Sequence, residues 1–244
     1  MKSAPARFEG FSADIFKFLG DLEKEKNNNT KWFAANRDRY DNALVNPAKS
    51  FVSAMGQFFG HLNPAIRTEP KFNKTLMRLN KDMRFAKGMP YRNYFLIHFG
   101  RFKMDSEFYV YFDKEGIDYG MFLNNTAGEE LYFNQNLARY EKDIINIFKK
   151  YGLNNKFMLR TFGKEITSVR NRFNADKYFD EFRELKYILL EKELPKERKI
   201  IYKTDFVTSA VKTFSNLYPL YCFAISPEPL RLLEEFEERM GMAF

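Results

Sequence analysis

Residues 76–94, LMRLNKDMRFAKGMPYRNY, alternate polar and apolar side chains and then turn through Gly88 and Pro90. In a strand, side chains two apart share a face. The alternation therefore predicts a strand over 76–85. Arg78, Asn80, Asp82 and Arg84 point one way, and Met77, Leu79, Met83 and Phe85 point the other, with Lys81 interrupting the apolar side. One face is expected to meet the core and the other to form a ladder of cation, amide, acid and cation. Same-face neighbours in a strand lie about 7 Å apart, so Asp82 can hold the guanidinium of Arg84 or Arg78. A planar, five-donor guanidinium held in place receives phosphate or carboxylate well. Lys87, Gly88, Pro90, Tyr91 and Arg92 form the turn that follows. Gly88 leaves room for a ligand against the backbone, and Tyr91 supplies a phenol. The bland reading of the same ribbon is a solvated salt ladder, contributing about 0–1 kcal/mol per pair.

Working outward, the aromatic run 94–102 and the segment 107–112 read as strands. Asp113-Lys114-Glu115-Gly116 reads as a hairpin turn and 117–123 as the returning strand. Connections this short favour an antiparallel meander. Upstream, Ser12 precedes a helix carrying Ile15, Phe18, Leu19 and Leu22. Asn27 to Asn29 break it, and Thr30 is expected to cap a helix with Trp32, Phe33, Tyr40 and Leu44. Asn46-Pro47 reads as N-cap and first position of the next helix, with Phe51, Met55, Phe58, Phe59 and Leu62. Downstream, a helix over 128–150, short strands at 157–162 and 165–169, and a helix over 176–193 are expected. Two further helices open at Asp205 and Ser226-Pro227. The fold class is α+β: one domain over 11–244 behind a loose leader at 1–10, with an antiparallel sheet meander packed by amphipathic helices at both ends of the chain.

The chain has 244 residues and a formal charge of +8, which favours anionic partners and says nothing about fold. Its 28 Phe and 14 Tyr read first as core. The single cysteine, Cys222, lies in an apolar setting, which favours a buried, inert thiol and a reducing compartment. No secretory h-region and no apolar run of about eighteen residues is present, so a soluble, cytoplasmic protein without a membrane partner is expected. His61 and His98 are the only histidines, and no cluster has metal-ligand spacing. No metal or cofactor is expected, and neither a phosphate loop nor a nucleophile elbow is present. Asn28, Asn29 and Trp32 sit at a helix start, where free N–H groups receive anions. They form a second contribution to the site.

The ribbon resembles a bacterial family of conserved proteins, domain of unknown function 2461, whose hallmark is R-x-x-R-D-x-R-F followed by a Lys-bearing turn and P-Y. The residues that carry the likeness are Arg78, Asp82, Arg84, Phe85, Lys87, Pro90 and Tyr91. The family's F-x-x-L-x-x-N-N-x-x-x-W-F pattern is similar to Phe18 to Leu22 with Asn28, Asn29, Trp32 and Phe33. Asn36, Arg37, Tyr40 and Pro47 follow in the family's order. The resemblance adds Asn36 and Arg37 to the second contribution. Two departures stand out: Lys81 replaces the second hallmark arginine, and the turn is one residue shorter at Gly88-Met89. The resemblance implies a shared site and carries no reaction.

Three functions follow. The first is binding, or turnover, of a phosphate- or carboxylate-bearing small molecule by Arg78, Lys81, Asp82, Arg84, Lys87, Tyr91 and Arg92. The second is nucleic-acid binding through basic and aromatic strands. The third is a structural or interaction role without ligand.

Overall fold

The Ser12 hydroxyl accepts the Asp14 N–H at 3.2 Å and opens α1 (Asp14–Leu22), which buries Ile15, Phe16, Phe18, Leu19 and Leu22. The structure is a computed structural model and describes residues 7–163 and 165–241. Most of the expected leader lies outside the described residues. Its end is already core, because Phe8 is 4% exposed and packs on Phe11 and Phe51.

Asn29, not Thr30, caps α2 (Thr30–Ala35): its side-chain oxygen accepts from the Trp32 N–H at 2.9 Å. The chain breaks at Asn36 and continues through α3 (Arg37–Tyr40) and a π-helical turn (Asp41–Val45) into α4 (Asn46–Leu62). The expected restart at Asn46 is thus a widened turn rather than a cap. Asn46 is itself helical (φ −66°, ψ −48°). Pro47 has no N–H to give to the helix, and the wider turn precedes it.

The strands are β1 (Phe95–Phe99), β2 (Glu107–Phe112), β3 (Gly116–Asn124), β4 (Met158–Phe162), β5 (Ile166–Arg170) and β6 (Tyr187–Pro195). They form one antiparallel sheet in the order β1-β2-β3-β6-β4-β5. The expected meander holds for β1 to β3. The turn between β2 and β3 is set by Asp113, whose Oδ1 accepts from Glu115 N–H at 2.8 Å and Gly116 N–H at 3.1 Å.

The largest correction is β6. Residues 176–193 read as one helix, but α7 (Ala175–Glu184) stops and the chain turns into a central strand. Leu, Glu and Lys favour helix locally. In the fold, Ile188, Leu189 and Leu190 are all buried, the signature of a strand covered on both faces, where neither period is legible. Gly120 on β3 makes the pairing feasible: a Cβ there would sit 2.0 Å from the Leu190 carbonyl oxygen. The helix expected over 128–150 is two, α5 (Phe133–Arg139) and α6 (Glu141–Lys150), broken at Tyr140 (φ −120°, ψ 34°). The chain ends in α8 (Asp205–Ile225) and α9 (Pro229–Gly241).

The packing divides into two compact units whose segments alternate along the chain. The first comprises the chain up to Phe99, Tyr109–Tyr119 and Glu193–Val211. The second comprises Gly100–Phe108, Gly120–Lys192 and the chain from Lys212 on. In the first unit Phe8, Phe11, Phe51, Phe112 and Phe206 form an aromatic knot with centroids 4.7 to 5.7 Å apart. In the second, Phe133, Phe148, Phe173 and Phe182 form another, with centroids 5.3 to 6.2 Å apart. Each such pair contributes about 0.5–1.5 kcal/mol beyond the area it buries. No helix of the described residues is long and apolar enough to cross a membrane.

Gly120→Ala should destabilise the protein by about 3 kcal/mol in urea titration, because the added methyl meets backbone that cannot yield. Gly60→Ala, in α4 with open space around it, should be stabilising by about 0.5–1 kcal/mol. Equal effects at the two glycines would contradict the β3–β6 pairing.

Candidate functional site

Residues 76–92 are not a strand. Met77 N–H donates to the Leu96 carbonyl (3.0 Å) and His98 N–H to the Thr75 carbonyl (2.9 Å), so the segment starts along β1. It then folds back on itself through two bonds, Lys81 N–H to the Pro90 carbonyl and Arg92 N–H to the Leu79 carbonyl, both 2.8 Å. Between them hangs a loop over 82–89. Its organiser is Asp82. The carbonyl of Asp82 accepts from Phe85 and Ala86 N–H, each at 3.0 Å. Its carboxylate accepts from Arg84 N–H (3.1 Å), Nε (3.0 Å) and Nη2 (2.7 Å). A short acidic side chain that bonds its own backbone offers the chain an alternative to a ladder, and here that alternative wins. Gly88, at φ +81°, completes the loop in the left-handed region.

The expected face therefore divides. Arg78 and Asn80 stay together, while Asp82 and Arg84 leave with the loop, where the Arg84 side chain is 81% exposed. The ion pair with Arg84 holds the Asp82 carboxyl below its ordinary range. The apolar face fails beyond Leu79, which is buried. Met83 is 44% and Phe85 87% exposed.

Arg78 and Asn80 line a cavity of about 160 Å³ with Phe33, Arg37, Tyr40, Phe72 and Leu79. The ribbon and the α2–α3 region, separated by some forty residues, thus meet at one place. Arg78 lies over the Phe72 ring, 5.7 Å from its centroid, and makes no ion pair among the described residues. Arg37 lies over the Tyr40 ring at 5.2 Å, and its Nε donates to Asp41 at 3.0 Å. Burial pushes the Tyr40 hydroxyl up to about 12, against the opposing pull of Arg37 and Arg78. It stays protonated, and so a hydrogen-bond donor, near neutral pH.

Several other predicted residues build the cavity's frame. Asn28, 4% exposed, donates from Nδ2 to the Leu22 (2.6 Å) and Tyr91 (2.9 Å) carbonyls and accepts the Tyr91 N–H at 2.9 Å. Tyr91 stacks on Phe33, centroids 4.2 Å apart and planes 4° off parallel. Arg92 donates from Nη1 to the Arg78 and Asn80 carbonyls at 3.1 and 3.0 Å. Asn36 donates to the Trp32 carbonyl at 3.0 Å, and Trp32 packs on Phe18. Lys81 is half-buried and Lys87 exposed; neither lines the cavity. Tyr40, read from the sequence as a helix-face residue, and Phe72 join the site only in the fold, although Arg37 and Tyr40 are three apart, the spacing of neighbours on a helix surface.

A larger cavity of about 720 Å³ lies in the same unit, lined by α1, Arg39, Lys114, Lys196 and Tyr202. Its charges are largely matched. Arg39 is bidentate to Asp14 (2.8 and 2.9 Å) and meets Asp21 at 2.7 Å; Lys24 pairs with Asp21 and Lys114 with Glu23. Partial burial raises the Asp21 pKa, but hydrogen bonds from Lys24 and Arg39 outweigh it and the net shift is downward. Cys222 is fully buried in α8, with its thiol pushed up by burial.

This chain belongs to the conserved hypothetical protein family DUF2461, whose model matches residues 14–223. No curated protein and no solved structure matches it. The matched span includes the frame, the cavity and the Asp82 loop.

Asn28→Ala should cost about 2–4 kcal/mol, since it leaves buried backbone groups of Tyr91 and Leu22 without partners. Amide exchange at Tyr91 and Arg92 should accelerate more than at β2; uniform acceleration would contradict a local bracket. Asp21, with its folded pKa below the unfolded value near 3.9, contributes stability that is present above that value and lost as pH falls through the folded one. The gain in urea midpoint between about pH 3 and pH 6 should therefore shrink in Asp21→Asn.

Proposed function

We propose that the protein binds a small molecule bearing a phosphate or carboxylate group in the cavity between Arg37 and Arg78. The observation that carries this reading is the Arg78 guanidinium. It lines a concave site with no counter-charge among the described residues, while most arginines of this chain are matched to carboxylates. A guanidinium receives a planar or tetrahedral oxyanion through two parallel N–H donors. Arg37 adds a second positive charge, its Nε already held by Asp41. Asn80 can donate an amide N–H, and the protonated Tyr40 hydroxyl can donate as well. Phe33, Phe72 and Leu79 give the site an apolar wall and lower the local dielectric, which strengthens each polar contact. The Asp82–Arg84 pair is internally satisfied and has no part in this reading. The single, buried Cys222 fits a reducing, cytoplasmic setting.

Nucleic-acid binding through the aromatic strands draws less support. Phe95, Phe99, Phe108 and Phe112 are fully buried and cannot stack on bases. Phe85, on the loop, is the one Phe among the large exposed apolar residues described.

A thermal-shift screen over phosphate esters and carboxylates should find ligands that raise Tm. Saturation at 100 Kd contributes about 2.7 kcal/mol, and about 2–4 °C accompanies each kcal/mol at this chain length. Arg78→Ala should weaken such a ligand at least about tenfold, the equivalent of one charge-assisted hydrogen bond, and Arg84→Ala should not. If no anion shifts Tm, or if Arg84→Ala is the more damaging change, the reading fails.

A further inference from the structure

The Arg37–Arg78 cavity is rich in hydrogen-bond donors and poor in acceptors. A guanidinium carries five N–H groups, and that of Arg78 donates to no described residue. Arg37 commits only its Nε, to Asp41 at 3.0 Å. The Tyr40 hydroxyl and the Asn80 amide add donors, and neither side chain hydrogen-bonds a described residue. Acceptors are scarce because Arg92 occupies the backbone of this wall. Its Nη1 donates to the Arg78 and Asn80 carbonyls at 3.1 and 3.0 Å, and its N–H donates to the Leu79 carbonyl at 2.8 Å. Among the described residues no carboxylate lines the cavity. The acid nearest to Asn80 in sequence, Asp82, is turned into the loop and held by Arg84. The open acceptors are then the Asn80 amide oxygen and the Tyr40 oxygen.

This imbalance selects among the anions that the cavity reading admits. A phosphate monoester presents three terminal oxygens and close to two negative charges at neutral pH. A carboxylate presents two oxygens and one charge. Two guanidiniums, a hydroxyl and an amide leave donors unused on a carboxylate, whereas a third oxygen and a second charge engage them. Rings keep the guanidiniums in position, Arg78 over Phe72 at 5.7 Å and Arg37 over Tyr40 at 5.2 Å. A guanidinium whose face lies on a ring keeps its N–H edge for oxygen. The rest of the cavity limits what the phosphate is joined to. Its volume is about 160 Å³, about half of the roughly 300 Å³ at which sites enclosing drug-sized ligands begin. Phe33, Phe72 and Leu79 form its apolar wall. A short carbon chain fits there. An ammonium on that chain would meet the two guanidiniums and no carboxylate.

We propose that the cavity takes a short aliphatic phosphate monoester in preference to a carboxylate, a phosphodiester or a phosphate ester that carries an ammonium. The proposal rests on the reading that this cavity is the ligand site. Arg78 and Arg37 receive the dianion, and Asn80 and Tyr40 bind the oxygen that a carboxylate lacks. Arg92 is a positioning residue: it closes the wall's carbonyls to donors on the ligand.

The test is isothermal titration calorimetry on the full chain at neutral pH and constant ionic strength. The probes are propyl phosphate, butanoate, dimethyl phosphate and 2-aminoethyl phosphate. The last has the length of propyl phosphate, with an ammonium in place of the terminal methyl group. Propyl phosphate should bind at least about tenfold more tightly than each of the others, the equivalent of one charge-assisted hydrogen bond. Asn80 is exposed, so Asn80→Asp leaves the core intact. It should weaken propyl phosphate at least about tenfold and 2-aminoethyl phosphate less, because the new carboxylate accepts from the ammonium. The proposal is overturned if any of the other three probes matches propyl phosphate, or if Asn80→Asp weakens both monoesters equally. Should the variant fail to fold, the comparison of probes on the unaltered protein decides the matter. Binding by none of the probes sinks the cavity reading as well. Arg78-dependent binding of butanoate as tight as that of propyl phosphate leaves that reading standing and sinks only the preference.

Discussion

A single buried amide holds the candidate site together. Asn28 has no strand to join, yet it brackets Tyr91 as a strand partner would, accepting from its N–H and donating to its carbonyl. Its remaining N–H closes on the end of α1 through the Leu22 carbonyl. Buried amides are costly unless their donors and acceptor are used, and here both donors and the oxygen are. The bracket sets where residues 79–92 run against the first helices. That placement in turn lets Tyr91 stack on Phe33 and brings Arg78 beside Arg37. Arg92 reinforces it from the other side by donating to the carbonyls of Arg78 and Asn80. Side chains here do the work that regular pairing does in the sheet.

Charge has two uses in this molecule. Some cations complete networks, such as Arg39 between Asp14 and Asp21, or Arg101 on the buried Asp105. A network of this kind fixes geometry and is already neutral, so it attracts nothing. Arg78 differs in having no carboxylate partner among the described residues while it lines a cavity. The net charge of +8 does not distinguish the two uses. Only the distance from each cation to the nearest carboxylate does, and that distance is a tertiary property.

Aromatic side chains follow a similar division. Those of the strands and long helices are consumed by the two cores, where ring pairs at 4.7 to 6.2 Å interlock. Phe85 escapes because the Asp82 turn carries it away from the surface that the alternation assigned to it.

The residues alone determined the α+β class, the hairpin at Asp113–Gly116 and the start of α1 after Ser12. Each rests on interactions within a few positions: an Asx turn, a cap, an i,i+4 stripe, a period of two. Most of the chosen site residues do gather around one cavity, but half of them as its frame. What the tertiary structure decided was every matter of competition between comparable local preferences. Residues 187–195 could be helix or strand, and the partners on either side in the sheet made them strand. Residues 76–85 could be strand or loop, and Asp82, bonding its own backbone, made them loop. Which guanidinium stays free depended on carboxylates far away in sequence. Local propensities differ by less than about 1 kcal/mol per residue, whereas a buried contact or an unpaired buried amide is worth more, so long-range packing has the last word.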